Sequence, residues 1–119
     1  MSHYLKGLHA EMLAALWLRL KGWRILDRRL RTPLGEIDLL AEKRETLILV
    51  EVKLRPTLTE AASAISPHQQ ARLVNAARFV LAKHPEMGNH TVRFDTLLVN
   101  RWGGMKHVVN AWNENRNGN

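Results

Sequence analysis

The chain has 119 residues, 18 Lys+Arg against 11 Asp+Glu, a formal net charge of +7 and no cysteine. That length points to one domain with a single core, expected over residues 1–112, with a polar, disordered tail over 113–119. The missing cysteines exclude a disulfide scaffold, a Cys-ligated zinc site and a Cys nucleophile, while the positive excess suits a polyanionic partner, nucleic acid above all.

Residues 3–21 read as a helix, with Leu5, Leu8, Met12, Leu16 and Leu20 in one stripe near helical spacing and Gly22 as its stop. Lys6, His9 and Glu11 break the apolar run, so the segment is not a signal peptide. No stretch is long and apolar enough for a membrane span, so no membrane contact is expected, and the missing cysteines fit a cytoplasmic location. Trp23 to Leu30 reads as an exposed or edge strand, and Thr32-Pro33-Leu34-Gly35 as a turn.

Residues 36–42 and 46–55 read as two strands joined by a hairpin around Lys43-Arg44-Glu45. In the second strand, Ile48, Val50, Val52 and Leu54 share one face; Leu47, Leu49, Glu51, Lys53 and Arg55 share the other. Such a strand is central, buried on both faces near its start and opening into a polar pocket near its end. Pro56 ends it. Thr57 to Ala64 is expected to form a short helix, and Ser66-Pro67-His68-Gln69 starts a longer one to about Lys83. Leu73, Ala77, Val80 and Leu81 should face the core. Strands over Thr91–Val99 and Met105–Trp112 follow, with a turn at Arg101–Gly104. The order predicts an α/β fold: a mixed central sheet flanked by helices, with a meander of three strands and a parallel pairing across the long helical crossover.

Asp38 and Glu51 can lie on the same face of neighbouring strands, with Lys53 two residues beyond Glu51. Two carboxylates and an ammonium at the end of an apolar sheet suit phosphodiester hydrolysis. Mg²⁺ takes hard oxygen ligands, typically one or two carboxylates with water and substrate phosphate. Such a cation polarises phosphoryl oxygens and acidifies water, and a neighbouring Lys can orient that water or offset charge. Acids and lysines at strand ends also form ordinary salt bridges at a solvated rim. Both readings stand at this point.

Glu11 lies on its helix among Gly7, Ala14 and Ala15. These small neighbours let this face approach the sheet closely, and a carboxylate among them is costly to bury without a partner. It is either a further acid aimed at the metal site or a core-margin acid paired with a base. Gln69 holds the capping-box position, while Gln70 lies on the core-facing side and can reach the pocket. Arg24, Arg28, Arg29 and Arg31 read as a phosphate-contacting rim that no comparable acidic cluster balances. The alternative is a solvated edge strand whose charges oppose aggregation. The six His show no ligand spacing; the Trp read as packing residues, with Trp102 a candidate base platform.

Gly7-x₃-Glu11-x₂-Ala14, Gly35-Glu36-Ile37-Asp38-Leu39-Leu40-Ala41, Val50-Glu51-Val52-Lys53-x-Arg55 and Arg93-Phe94-Asp95 resemble the bacterial YraN-like family, UPF0102, over about residues 4–112. That family is placed in the restriction-endonuclease-like PD-(D/E)XK superfamily, near archaeal Holliday junction resolvases. The resemblance implies an αβββαβ core and a metal-dependent nuclease. Asp38, Glu51 and Lys53 take the motif positions, with Glu11 as the first-helix acid. It implies Mg²⁺ or Mn²⁺ held by Asp38, Glu51, Glu11 and the main-chain carbonyl of Val52. The implied substrate is nucleic acid, DNA first, with branched DNA a candidate. Arg24, Arg28, Arg29, Arg31, Arg55 and Gln70 are the candidate backbone contacts. Junction cleavage would favour a homodimer. The family usually carries Lys where Gln69 stands, and Asn is common where Arg29 stands.

If Glu11, Asp38, Glu51 and Lys53 share one pocket, it carries −2 and the rest of the protein +9. The alternatives to a nuclease are a non-catalytic nucleic-acid-binding module on the same fold, and an interaction subunit whose acids are structural.

Overall fold

The structure is a computed structural model that describes residues 7–58 and 65–112. Helix α1 (Gly7–Leu20) leads into strands β1 (Arg24–Thr32), β2 (Gly35–Lys43) and β3 (Thr46–Leu54). Helix α2 (Pro67–Lys83) and a single 3-10 turn (Pro85–Met87) cross over to β4 (Thr91–Val99) and β5 (Met105–Trp112). Most of the expected helix over Thr57–Ala64, the start of the first helix before Gly7 and the polar tail lie outside the described residues.

The five strands form one sheet in the order β1-β2-β3-β4-β5. Neighbours run antiparallel except β3 and β4, whose connection carries α2 and leaves them parallel. The predicted meander, crossover and mixed α/β class are all present, and the order of elements is compatible with an αβββαβ core. No helix among the described residues is long and apolar enough to cross a membrane.

Alternation along β3 splits the core in two. Leu47 and Leu49 pack with Leu73, Ala76, Ala77 and Val80 of α2. Ile48 and Val50 pack with Ala14, Ala15 and Leu18 of α1. Leu81, expected to face the core, is half-buried at the margin of the α2 layer.

The α1 layer packs through the expected small-residue face and not through the apolar stripe. Met12, Leu16 and Leu20 are exposed, and Ala10, Ala14, Ala15 and Leu18 form the buried face. Size decides this more than hydrophobicity. Ala on the inner face lets the helix backbone come close to the sheet, and larger side chains there would overpack the layer at about 1–3 kcal/mol each.

On the α1 side of β4, the carboxylate of Asp95 is fully buried. Arg93 donates to it twice, at 3.0 and 2.9 Å, and His107 Nε2 lies 2.7 Å from its Oδ2. The His107 ring meets Trp17 edge-on at 5.7 Å. The Arg-Phe-Asp segment is thus part of a buried ion network that ties β4 to β5.

Candidate active site

The site forms where β2 and β3 part. Their ladder runs from Lys43↔Thr46 to Leu39↔Val50. One residue further, Asp38 substitutes its side chain for a backbone acceptor: Val52 N–H donates to Asp38 Oδ2 at 2.9 Å. A polar pocket therefore opens at this end of an otherwise apolar sheet, as the face pattern of β3 predicts. Asp38, Glu51, Glu36, Gln69, Arg72 and Leu73 line a cavity of about 190 Å³ there.

Burial, then the charge of Glu51 beside it, raises Asp38 from an ordinary pKa of 3.8 to about 7, although the Val52 N–H bond holds it down. Burial also raises Glu51, against the opposing pull of Lys53 and Gln69. Lys53 Nζ lies 3.4 Å from Glu51 Oε2, and Gln69 Nε2 donates to the same oxygen at 2.6 Å.

Sequence reasoning exchanged the roles of the two glutamines. Ser66 caps α2 as expected, its Oγ accepting from Gln69 N at 3.1 Å. The Gln69 side chain, expected to complete the capping box, goes to Glu51. Gln70, expected to reach the pocket, donates Nε2 to the carbonyl of Ile65 at 3.1 Å and braces the chain entering the helix. Ile65 is buried, and its carbonyl needs a partner. A glutamine at the third helical position satisfies the capping pattern and reaches a strand end equally well. The sequence carries no sign of which it does.

Glu11 is near enough to raise both Asp38 and Glu51. Its own Oε1 lies 3.4 Å from Arg29 Nη1. The pairing with a base is therefore present, while toward the pocket Glu11 acts through its charge and does not line the cavity. Arg29 has φ 54°, in the left-handed region that Asn tolerates better than Arg.

The arginine rim is more balanced than composition implied. Arg24 pairs with Glu42, Arg29 with Glu11, and Arg31 with Glu36 at 3.5 Å. Glu42 and Glu11 each lie 18 residues from their partners, so no local charge count could reveal them, whereas Glu36 lies just across the turn from Arg31. Arg28 is exposed and its N–H donates to Asp27 Oδ1. Arg55 turns its guanidinium to the carbonyl of Leu54 at 3.0 Å, while its N–H bonds Val99 O. Trp102 is exposed in the turn before β5. Two pocket residues went unflagged in the sequence: Glu36, one strand period from Asp38, and Arg72, one helical turn beyond Gln69.

The donors suit a hard divalent cation. Asp38 and Glu51 offer carboxylate oxygens in one cavity, and burial raises both acids even with Lys53 beside Glu51. No group of three His, Cys, Asp or Glu that could hold a metal occurs among the described residues. Glu11 therefore does not complete a three-ligand cage. Mg²⁺ and Mn²⁺ do not need one, since water and phosphate complete their shells.

Residues 10–99 match the model of the uncharacterised protein family UPF0102. That span holds Glu11, Asp38, Glu51, Lys53 and Gln69. A UPF0102 protein of Granulibacter bethesdensis is 53% identical over 106 residues, covering 89% of this chain and 67% of its own. One of Rhodopseudomonas palustris is 47% identical over 106 residues, covering 89% and 82%. One of Parvibaculum lavamentivorans is 46% identical over 111 residues, covering 92% and 82%.

Proposed function

The chain belongs to family UPF0102, and on that premise we propose that it is a metal-dependent nuclease that hydrolyses phosphodiester bonds of nucleic acid, DNA first. The observation that carries this reading is the half-buried carboxylate of Asp38 and the buried one of Glu51 in one cavity, with Lys53 Nζ 3.4 Å from Glu51 Oε2. The likeness of Asp38, Glu51 and Lys53 to the PD-(D/E)XK pattern supports it, as does the +7 charge.

Asp38 and Glu51 would hold Mg²⁺ or Mn²⁺, with the Val52 carbonyl as a further donor. The cation would polarise a phosphoryl oxygen and lower the pKa of water at the site. Asp38 is fixed for this by the Val52 N–H bond, and Glu51 by Gln69. Lys53, mostly buried beside Glu51, would orient an attacking water or offset the negative charge on the phosphoryl oxygens. Glu11 adds negative charge at the pocket's edge, and its link to Arg29 holds that guanidinium near the incoming backbone. Arg28 and Arg55 add positive charge along the approach.

The test is incubation with duplex, single-stranded and branched DNA in Mg²⁺ or Mn²⁺. Cleavage is expected, with its loss in Glu51→Ala and in Lys53→Ala. Cleavage that survives both substitutions would overturn the mechanism. Binding without cleavage in either metal would make the chain a nucleic-acid-binding module instead.

A further inference from the structure

The acidic cavity does not end at Asp38. It shares Glu36 and Arg72 with a second, more open groove of about 480 Å³, lined also by Arg31, Pro33, Leu34 and Gly35. That volume lies within the range of small-ligand clefts, roughly 300–1,000 Å³.

The groove is shaped by the turn between β1 and β2. Thr32 Oγ1 donates to Gly35 O at 2.6 Å and accepts from Leu34 N at 3.1 Å, so the turn is closed on itself. Gly35 has φ 154°, and a Cβ there would lie 3.3 Å from Arg72 O. Only glycine lets the turn sit this close to α2. The close approach brings Arg72 of α2 and Arg31 of β1 to the same groove, with Glu36 between it and the acidic cavity.

Its chemistry has two halves. Arg31 and Arg72 outweigh Glu36, and the Arg31–Glu36 contact is a 3.5 Å pair on an exposed Arg, which is weak. A phosphate can displace it. Leu34 at the tip of the turn is 47% exposed and lies beside Pro33. An exposed leucine on a closed turn gives an apolar surface next to two guanidinium groups. That pairing matches a single nucleotide, with its anionic phosphate and apolar base face. In a continuous duplex both faces of each base are covered by neighbours, so an unpaired, unstacked nucleotide is the form that fits.

We propose that this groove is a subsite for an unpaired nucleotide flanking the scissile phosphate, with Arg72 and Arg31 on its phosphate and Leu34 against its base. The subsite rests on the nuclease reading for its position, and it has its own test. Arg72 and Leu34 are both exposed, so their replacement should leave the melting temperature unchanged.

The measurement is fluorescence anisotropy with a short labelled DNA strand, alone and annealed to its complement, in EDTA over a series of salt concentrations. Wild type is expected to bind the single strand more tightly than the duplex. Arg72→Ala should weaken binding of both and lower the salt slope by about one phosphate contact. Leu34→Ala should weaken the single strand by roughly fivefold or more and leave the duplex unchanged. A wild type that binds neither DNA or shows no preference overturns the subsite, as do variants that bind like wild type. The nuclease reading fails separately, if this single-strand binding is found and Mg²⁺ or Mn²⁺ brings no cleavage.

Discussion

The carboxylate of Asp38 on β2 accepts the backbone N–H of Val52 on β3 at 2.9 Å, just beyond the last ladder pair of these strands. One bond thus does two things. It satisfies a peptide group that the parting strands would leave bare, and it fixes a carboxylate beside Glu51. The same position is electrostatically costly, since Asp38 is raised to about 7 by burial and by Glu51.

Stability should therefore depend on pH in a stated direction. Asp38 titrates near 3.8 when unfolded and near 7 when folded. Its contribution is fully present below about pH 4 and is lost as pH rises through 7. The loss is on the order of a few kcal/mol. Metal-free protein should melt at a lower temperature at pH 8 than at pH 5.5, and Asp38→Asn should remove much of that difference while raising the melting temperature at pH 8. Calorimetry across this range checks it; an Asp38→Asn variant that melts lower than wild type at pH 8 would make the acid a structural partner.

Divalent cation should reverse this cost. Mg²⁺ or Mn²⁺ at a hundredfold over its dissociation constant adds about 2.7 kcal/mol to the folded state. At pH 8 the melting temperature should rise by several degrees with Mn²⁺ in wild type, and should not move in Asp38→Asn/Glu51→Gln. An equal rise in both would place the cation elsewhere.

The two glutamines should separate in activity. Gln69 opposes the upward shift of Glu51 through its 2.6 Å bond, and Gln70 braces Ile65. Gln69→Ala raises the Glu51 pKa further, so the acid limb of the pH–rate profile should move to higher pH. Gln70→Ala should lower stability by about 1 kcal/mol and leave that limb in place. The pattern reversed would restore the sequence-based assignment.

Asp95 is the contrasting acid. It is fully buried against Arg93 and His107, on the opposite side of the sheet from Glu51. Removing it leaves both partners without their acceptor, so Asp95→Ala should lower stability by about 3–5 kcal/mol. Chemical denaturation of this variant beside Asp38→Asn distinguishes a structural acid from a site acid by the sign of the change.

What the residues disclosed and what they hid follow from how local each signal is. Alternation along Thr46–Leu54 is local, and it correctly placed Glu51 and Lys53 on one face at the end of a central strand. Ser66-Pro67 is a local cap signal, and it correctly started α2. In α1 hydrophobicity alone favours the stripe of Met12, Leu16 and Leu20, whereas the small-residue face around Ala14 and Ala15, expected to approach the sheet closely, is the buried one. The partners of Arg24 and Arg29 were hidden because Glu42 and Glu11 are each 18 residues away. Arg72 was hidden because its place at the pocket depends on how closely Gly35 meets α2.

The most direct measurement of the central claim is anomalous diffraction from crystals soaked in Mn²⁺ at pH 8. A peak between the carboxylates of Asp38 and Glu51, lost in Glu51→Gln crystals, is the predicted result. Crystals that show Mn²⁺ only at other positions, or none between these two acids at saturating metal, would contradict the account.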